Sequence, residues 1–578
     1  MSQAFGDQPA NGLRKHSAQP RVAVFGGGVG GLTAAHVLAR RGFEVQLYER
    51  HNVLGGKTRS WTLDNTGTDG RADLPSEFGP HGLFGSYRNL GETLREIPTE
   101  DGRTVLDNVT SGPPNVVAST SFLGKLLQMT VPSVRFRKNV NCRIVLRFIR
   151  GALTMLGSGS LTFRDKAILA SKVVAMMTSG EKRQWRHFEN ISLADFVHAD
   201  RLSANARRLL QTSTQGNPGL IENYSTRAYA IGTIIEILGV LLRGLGPGFK
   251  DIVGFFSSPT NEAWFDPWRK YLESLGVAIN LDHQLVDLSC SDGRVIEATV
   301  KLPNGELLPI DADWYILAVP FDKAAQLMNR ALTAADPALG RIANIKHSSW
   351  LGAGQIYLRK KQTPAFGTFY LPLDQPWAPA IVDQSAIFGG SFHENYGDGS
   401  VVQYLSIDVG NWDEPGILYS KTAKQCSETE FFEEFRAQIR AALNDDTVLA
   451  DADIHSRDFN PAITWPTSGG LATHDEPQLG VDVGCWANQP TAVTGVPNLF
   501  LAASYVRTGH GLDSTDSANE AGKHAANGVL DAAGSTESRA PIGPVDAPRP
   551  LKWLWRLDDR RYDAGRPNVF DIVAPVAP

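Results

Sequence analysis

The chain has 578 residues, more than one hydrophobic core usually organises, so two or more domains around a sizeable interior are expected. A formal net charge of -5 excludes general attraction to polyanions, and with it nucleic acid as the principal partner. Cys142, Cys290, Cys426 and Cys485 are scattered without a CxxC pair, which suggests neither a zinc site nor a disulfide framework and suits a reducing cytoplasm.

Residues 1–20 are polar and lack the apolar core of a signal peptide, so they read as a disordered lead-in. The first ordered unit, RVAVFGGGVGGLTAAHVLARRGFEVQLYER, is an apolar run ending in glycines, an Ala/Leu-rich helical stretch and a second strand, a βαβ unit. Gly26, Gly28 and Gly31 form a GxGxxG at its first turn. The first glycine allows the turn, the second lets backbone approach a pyrophosphate, and the third lets helix and strand pack closely. The free N–H groups of the helix start face the phosphates. Glu49 ends the second strand, about 20 residues on, where its carboxylate accepts from ribose hydroxyls. Together these predict a bound dinucleotide.

After Arg50 comes a second glycine turn flanked by cations, Leu54-Gly55-Gly56-Lys57-Thr58-Arg59-Ser60, which suits a larger cofactor. Here the chain resembles the FAD-dependent amine oxidase and phytoene desaturase superfamily, including carotenoid desaturase-like and hydroxysqualene dehydroxylase-like proteins. The resemblance implies FAD, with Arg50, Gly55, Gly56, Lys57, Thr58 and Arg59 against it. The next stretch, Glu77 to Leu90, resembles a family segment that lines the flavin, which puts Gly79, Pro80, His81 and Gly82 there. His81 is then either a structural histidine or a group acting beside the isoalloxazine ring.

Residues 96–259 are mostly helical in pattern. Within them, residues 125–157 hold seven basic side chains, Lys125, Arg135, Arg137, Lys138, Arg143, Arg147 and Arg150, and no acidic one. Arg143, Arg147 and Arg150 share a helical face opposite Ile144, Val145, Phe148 and Ile149. Two readings stand: an interfacial helix resting on the inner face of an anionic membrane, and a solvated face over a buried stripe. The apolar run Ala228 to Leu242 carries Glu236 and is too short to span a bilayer. Phe255, Phe256, Trp264, Phe265 and Trp268 either line a substrate cavity or pack a domain seam.

Val286, in LDHQLVDL, matches the family strand whose backbone meets the adenine. DWYILAVP and NLFLAASYV, nearly continuous apolar runs, read as strands of a sheet covered on both faces. Between them, WLGAGQIYL and SVVQYLSIDV are strand-like pieces of a second insertion. Cys485 could attach flavin covalently, though a buried core thiol is the simpler reading.

Residues 496–530 resemble the family's strand, turn and helix beneath the flavin, which places Ser504, Asp513, Ser514, Thr515 and Ala518 at the cofactor. Ser514 is placed to cap the helix, whose positive end favours negative charge on the reduced ring. Asp513 and His81 are the candidates for acting at the reacting atoms. The chain departs from relatives at Ser504 and Gly511, where they carry acids, and at Thr515-Asp516-Ser517, where they read Met-Glu-Gly. No GxSxG elbow, HExxH or His/Cys cluster points to a hydrolase or a metal.

The expected fold is α/β, a Rossmann-like FAD-binding domain of the glutathione-reductase type with an interleaved α+β substrate domain. Residues 21–95, 260–340 and 490–533 form the first and residues 96–259 and 341–489 the second. A Pro-rich tail, residues 534–578, packs on the surface through Trp553 and Trp555. The resemblance implies hydride removal from C–H bonds of a lipophilic substrate, an isoprenoid or another natural-product intermediate. Two alternatives stay open: a flavin amine or amino-acid oxidase, and a nonredox prenyl-binding carrier of the GDP-dissociation-inhibitor type.

Overall fold

The computed structural model describes residues 19–111, 115–119, 127–130, 161–213, 220–235, 246–249, 253–346, 350–362, 369–388, 392–467, 469–543 and 551–578. The lead-in to residue 18 and all seven basic residues of the 125–157 stretch lie outside them.

Strand β1 (Arg21–Phe25), helix α1 (Val29–Ala39) and strand β2 (Glu44–Tyr48) form the βαβ unit. They belong to a five-stranded sheet in the order Ala278–Asn280, β2, β1, Trp314–Leu317, Leu499–Leu501, every neighbour parallel. The chain fills one side of β1 first and then crosses to the other. The order therefore reverses between β1 and Trp314–Leu317, which opens a crevice beyond the carboxyl ends of these strands.

Helix α1 is buried from Val29 through Leu38, as an apolar helix without a polar face must be. Helix Thr515–Ala532 lies directly against it, and only glycine fits the contact. A Cβ on Gly30 would collide with the Ala502 carbonyl, and one on Gly522 with the Gly30 carbonyl. Asn519 locks the pair by donating to Thr33 Oγ1 at 2.8 Å and Thr93 Oγ1 at 2.9 Å.

The second domain is built on a seven-stranded sheet in the order Ile454–Phe459, Gly352–Leu358, Gln403–Val409, Pro379–Asp383, Phe369–Pro372, Asn115–Ser119, Leu127–Thr130. All pairings are antiparallel except Phe369–Pro372 with Asn115–Ser119, so strands from both insertions share one sheet. Ile381, Leu405 and Ile407 pack beneath helix Glu428–Leu443 against Phe431, Phe435 and Ile439. A Ser427–Glu430 capping box starts that helix and Asn444, with left-handed backbone, ends it. The other face of the sheet, where Gly352, Ala380 and Asp408 stand in register, turns toward the parallel-sheet domain.

The described residues within 96–259 are mostly helical, as expected, with Phe163–Thr178 and Ala204–Ser213 the longest helices, and they also supply strands Val109–Ser111, Asn115–Ser119, Leu127–Thr130 and Val253–Phe256, too short to show a period of their own. Two expectations need correction. The apolar run 498–506 pairs only over Leu499–Leu501, because beyond Ala502 the chain turns, with Val506 N–H donating to the Ala503 carbonyl. In the tail, only Trp555 packs as expected, donating its indole N–H to the Met177 carbonyl at 3.0 Å. Trp553 is 63% exposed, since two residues apart on helix Lys552–Asp563 the rings cannot share a face. Among the described residues no helix is long and apolar enough to cross a membrane.

Candidate active site

A cavity of about 830 Å³ opens at the carboxyl ends of β1 and Trp314–Leu317 and continues to the free face of the seven-stranded sheet. Its floor is the first glycine turn. Gly26 has φ 112°, and a Cβ there would stand 2.6 Å from the Ala318 carbonyl oxygen. Gly28 meets nothing nearer than the Gly56 Cα, 3.7 Å from where its Cβ would be, so backbone is bare to the cavity at the start of α1. The first-turn N–H groups there have no intrahelical acceptor, and the turn itself holds no acidic residue. Gly31 does not line the cavity; a side chain there would strike the Gly26 carbonyl, which makes it a packing glycine.

The second glycine turn folds onto the first. Gly55 N–H donates to the Gly27 carbonyl at 2.9 Å, and Gly28 and Gly55 form a parallel bridge. Glu49, 5% exposed, lines the cavity with Oε2 accepting from Gly27 N–H at 2.6 Å and Oε1 from His51 N–H at 2.9 Å. Each oxygen keeps a lone pair for a further donor. A Cβ-free, donor-rich floor beside a fixed carboxylate fits the pyrophosphate and ribose of a dinucleotide. Val286 also lines the cavity, at a register shift between Leu285 and Asp287 that leaves its backbone outside the ladder.

The cations after Glu49 converge on a residue that sequence reading missed. Glu476 lines the cavity and is approached by Arg50, by Arg59 Nη1 at 2.7 Å and by His51 Nε2 at 2.6 Å. Burial works against its charge, but these partners outweigh burial and hold its carboxyl well below the usual range. Arg59, expected at the cofactor, does not border the cavity; its guanidinium is taken by Glu476 and by the Gly56 carbonyl at 2.8 Å. Lys57 does border it, its ammonium donating to the Pro477 carbonyl and its pKa lowered by burial.

Gly79, Pro80, His81 and Gly82 all line the cavity. His81 Nε2 lies 3.1 Å from the Lys57 carbonyl, which can only accept, so the proton is on Nε2 and Nδ1 is left buried without a partner. Burial pushes the imidazole down to about 4, so it is neutral near pH 7. Glu77 Oε2 stands 4.0 Å from Nδ1, and burial pushes that carboxyl up to about 7.

At the C-terminal element, Ser504, Asp513, Ser514, Thr515 and Ala518 reach the cavity. Ser514 Oγ caps the helix by accepting from Ser517 N–H at 3.1 Å, and Asp513 Oδ2 accepts from Leu479 N–H at 3.0 Å. The departures at Gly511 and Asp516 have structural causes. Gly511 has φ 59°, and its carbonyl accepts from Arg227, as does that of His510. Arg227 is fully buried, paired with Glu189 at 2.6 Å and lying over the contacting rings of Trp185 and Trp486. Asp516 faces away from the cavity and accepts from the backbone N–H groups of Arg88, Asn89 and Leu90, capping helix Leu90–Glu96.

Trp264, Phe265 and Trp268 are fully buried in the main core and do not border the cavity, so they pack the interior and neither line the cavity nor mark a domain seam; Phe255 does border it. Cys485 is buried away from the cavity, and burial pushes its thiol up to about 12. The far half of the cavity is apolar, with Val253, Phe255, Phe369, Leu371 and Val382, and among the described residues there one carboxyl, Asp408.

Residues 266–530 match the family described as flavin containing amine oxidoreductase, and residues 24–97 an NAD(P)-binding Rossmann-like domain. A zeta-carotene desaturase of Synechocystis is 20% identical over 534 residues, 88% of this chain and 97% of that protein. A carotenoid phi-ring synthase of Streptomyces griseus is 42% identical over 94 residues, 16% of this chain and 18% of that one. Among solved structures, a putrescine oxidase bound to putrescine aligns with TM-score 0.54 at 13% identity, over 89% of this chain and 99% of that one. Cyclohexylamine oxidase from Brevibacterium oxydans aligns equally well, with the same TM-score of 0.54 and 13% identity. At these identities the structural likeness is one of fold.

Proposed function

Because the chain belongs to the superfamily of flavin-containing amine oxidoreductases and carotenoid desaturases, and is a flavin-dependent oxidoreductase, we propose that its flavin is FAD and that it takes hydride from a C–H bond of a lipophilic substrate of the isoprenoid class. The observation that carries this reading is the continuity of one cavity from a dinucleotide floor to an apolar wall supplied by the second domain. When bound, FAD supplies the two-electron acceptor.

The chain's own residues bind, orient and exclude water. Gly26, Gly28 and the first turn of α1 hold the pyrophosphate, and Glu49 accepts from the ribose hydroxyls. The capped start of helix Thr515–Ala532 presents its positive end to the cavity, where it stabilises negative charge gained on reduction. His81, neutral and held by the Lys57 carbonyl, keeps a lone pair on Nδ1 and adds no positive charge. The apolar half gives a hydrocarbon chain a dry seat. An extended site suits FAD over a nicotinamide, because both glycine turns and the C-terminal helix border the same cavity.

The test is the visible spectrum of the purified protein, with mass identification of the released cofactor, followed by anaerobic bleaching with isoprenoids and with amines. A yellow protein releasing FAD and bleached by isoprenoids is expected. A colourless protein that takes up no FAD overturns the whole reading, and bleaching by amines alone overturns the substrate class.

A further inference from the structure

Three polar atoms on the cavity wall are buried without a hydrogen-bond partner: His81 Nδ1, Thr515 Oγ1 and Asp408 Oδ1. The first two border the dinucleotide half. Among the described residues Asp408 stands alone in the apolar half, on strand Gln403–Val409, and is 8% exposed. Its neighbours in register on either side are Gly352 and Ala380, both on the cavity wall and both too small to cover it. Gly352 in turn packs against the backbone of Phe78 and Gly79, in the segment that leads to His81. The carboxyl therefore sits one strand spacing from Gly352, which itself touches the segment leading to His81.

An isolated carboxyl in such a wall is unfavourable for a pure hydrocarbon, which would bury it further and pair nothing. Burial alone pushes Asp408 up to about 7, with no cation beside it among the described residues, so it is about half protonated at neutral pH and largely protonated below it. A protonated carboxyl offers one donor and one acceptor, the complement of a hydroxyl. An ammonium brings three donors and a charge, and Gly352 and Ala380 add no second acceptor side chain.

We propose that Asp408 is the polar recognition residue of the substrate site and takes a hydroxyl group, so that the substrate is a lipophilic alcohol and not a bare hydrocarbon or an amine. The inference rests on the apolar half being the seat of a lipophilic substrate, the reading given above.

The experiment measures equilibrium binding of farnesol, farnesene and farnesylamine to the FAD-loaded protein by tryptophan fluorescence, without turnover. Wild type is expected to bind farnesol about tenfold tighter than farnesene. Asp408→Leu, apolar and of similar size, erases that preference, and so does Asp408→Val, whose branched side chain suits a strand should the leucine fail to fold. Asp408→Asn, which keeps a donor and an acceptor, retains it. Equal binding of farnesol and farnesene by wild type, or a preference that survives Asp408→Leu or Asp408→Val, overturns the proposal while leaving isoprenoid oxidation standing. Tightest binding of farnesylamine overturns it in favour of a cation site. If neither farnesol nor farnesene binds and amines bleach the flavin, the substrate class itself has failed.

Discussion

Glu49 and Asp408 are both buried carboxyls on the cavity wall, yet their surroundings give them opposite duties. Glu49 accepts two backbone N–H groups, at 2.6 and 2.9 Å, and is thereby held as an acceptor. Glu49→Gln exchanges an acceptor-only group for one whose amide must face a donor, so FAD affinity is expected to fall about tenfold in a reconstitution titration. Asp408 has burial as its sole perturbation. Between the ordinary value of 3.8 and about 7, the folded protein keeps a proton there that the unfolded chain releases, so this residue lowers stability as pH rises. Asp408→Asn carries no such cost. Its Tm relative to wild type is expected to climb from pH 4 to 7, by up to about 1.4 kcal/mol per pH unit in stability, and to level above 7. A flat difference in Tm across that range would mean that Asp408 titrates normally.

Among the elements, α1 and helix Thr515–Ala532 come from opposite ends of the chain and touch through glycine. Gly30→Ala would drive a methyl into the Ala502 carbonyl, and backbone cannot swing aside as a side chain can. A loss of about 1–3 kcal/mol is expected, with weaker FAD retention because Gly30 also borders the cavity. Thermal unfolding with and without added FAD measures both. The βαβ unit was legible from local signals alone, since glycine spacing, helix pattern and terminal acid lie within thirty or so residues. The strands of residues 96–259 were not, because a three- to five-residue strand shows too few alternations to set against neighbouring helices. Arg59 was misplaced for a related reason: adjacency in sequence to cofactor-facing residues said nothing of Glu476, 417 positions away.

At the scale of the molecule, the tail closes on the helical insertion. Arg183 pairs with Asp558 at 2.9 Å and Lys172 with Asp571 at 2.8 Å, all four side chains buried. Asp558→Ala strands the Arg183 charge and is expected to cost about 3–5 kcal/mol, read as a lower unfolding midpoint, with the flavin spectrum unchanged because this contact is remote from the cavity. The same long reach governs the site. The sequence by itself determined the dinucleotide floor, Glu49, the second glycine turn and the capped helix, because each is written in contiguous residues whose backbone requirements are local. Only the tertiary structure decided that Glu476 collects the cations, that Arg227 holds the turn at Gly511, that Trp264 and Trp268 fill the core, and that Asp408 is buried in an apolar wall without a hydrogen-bond partner for Oδ1 among the described residues. Those roles depend on what surrounds a side chain, and burial and pairing across hundreds of residues leave no periodicity for a sequence to display.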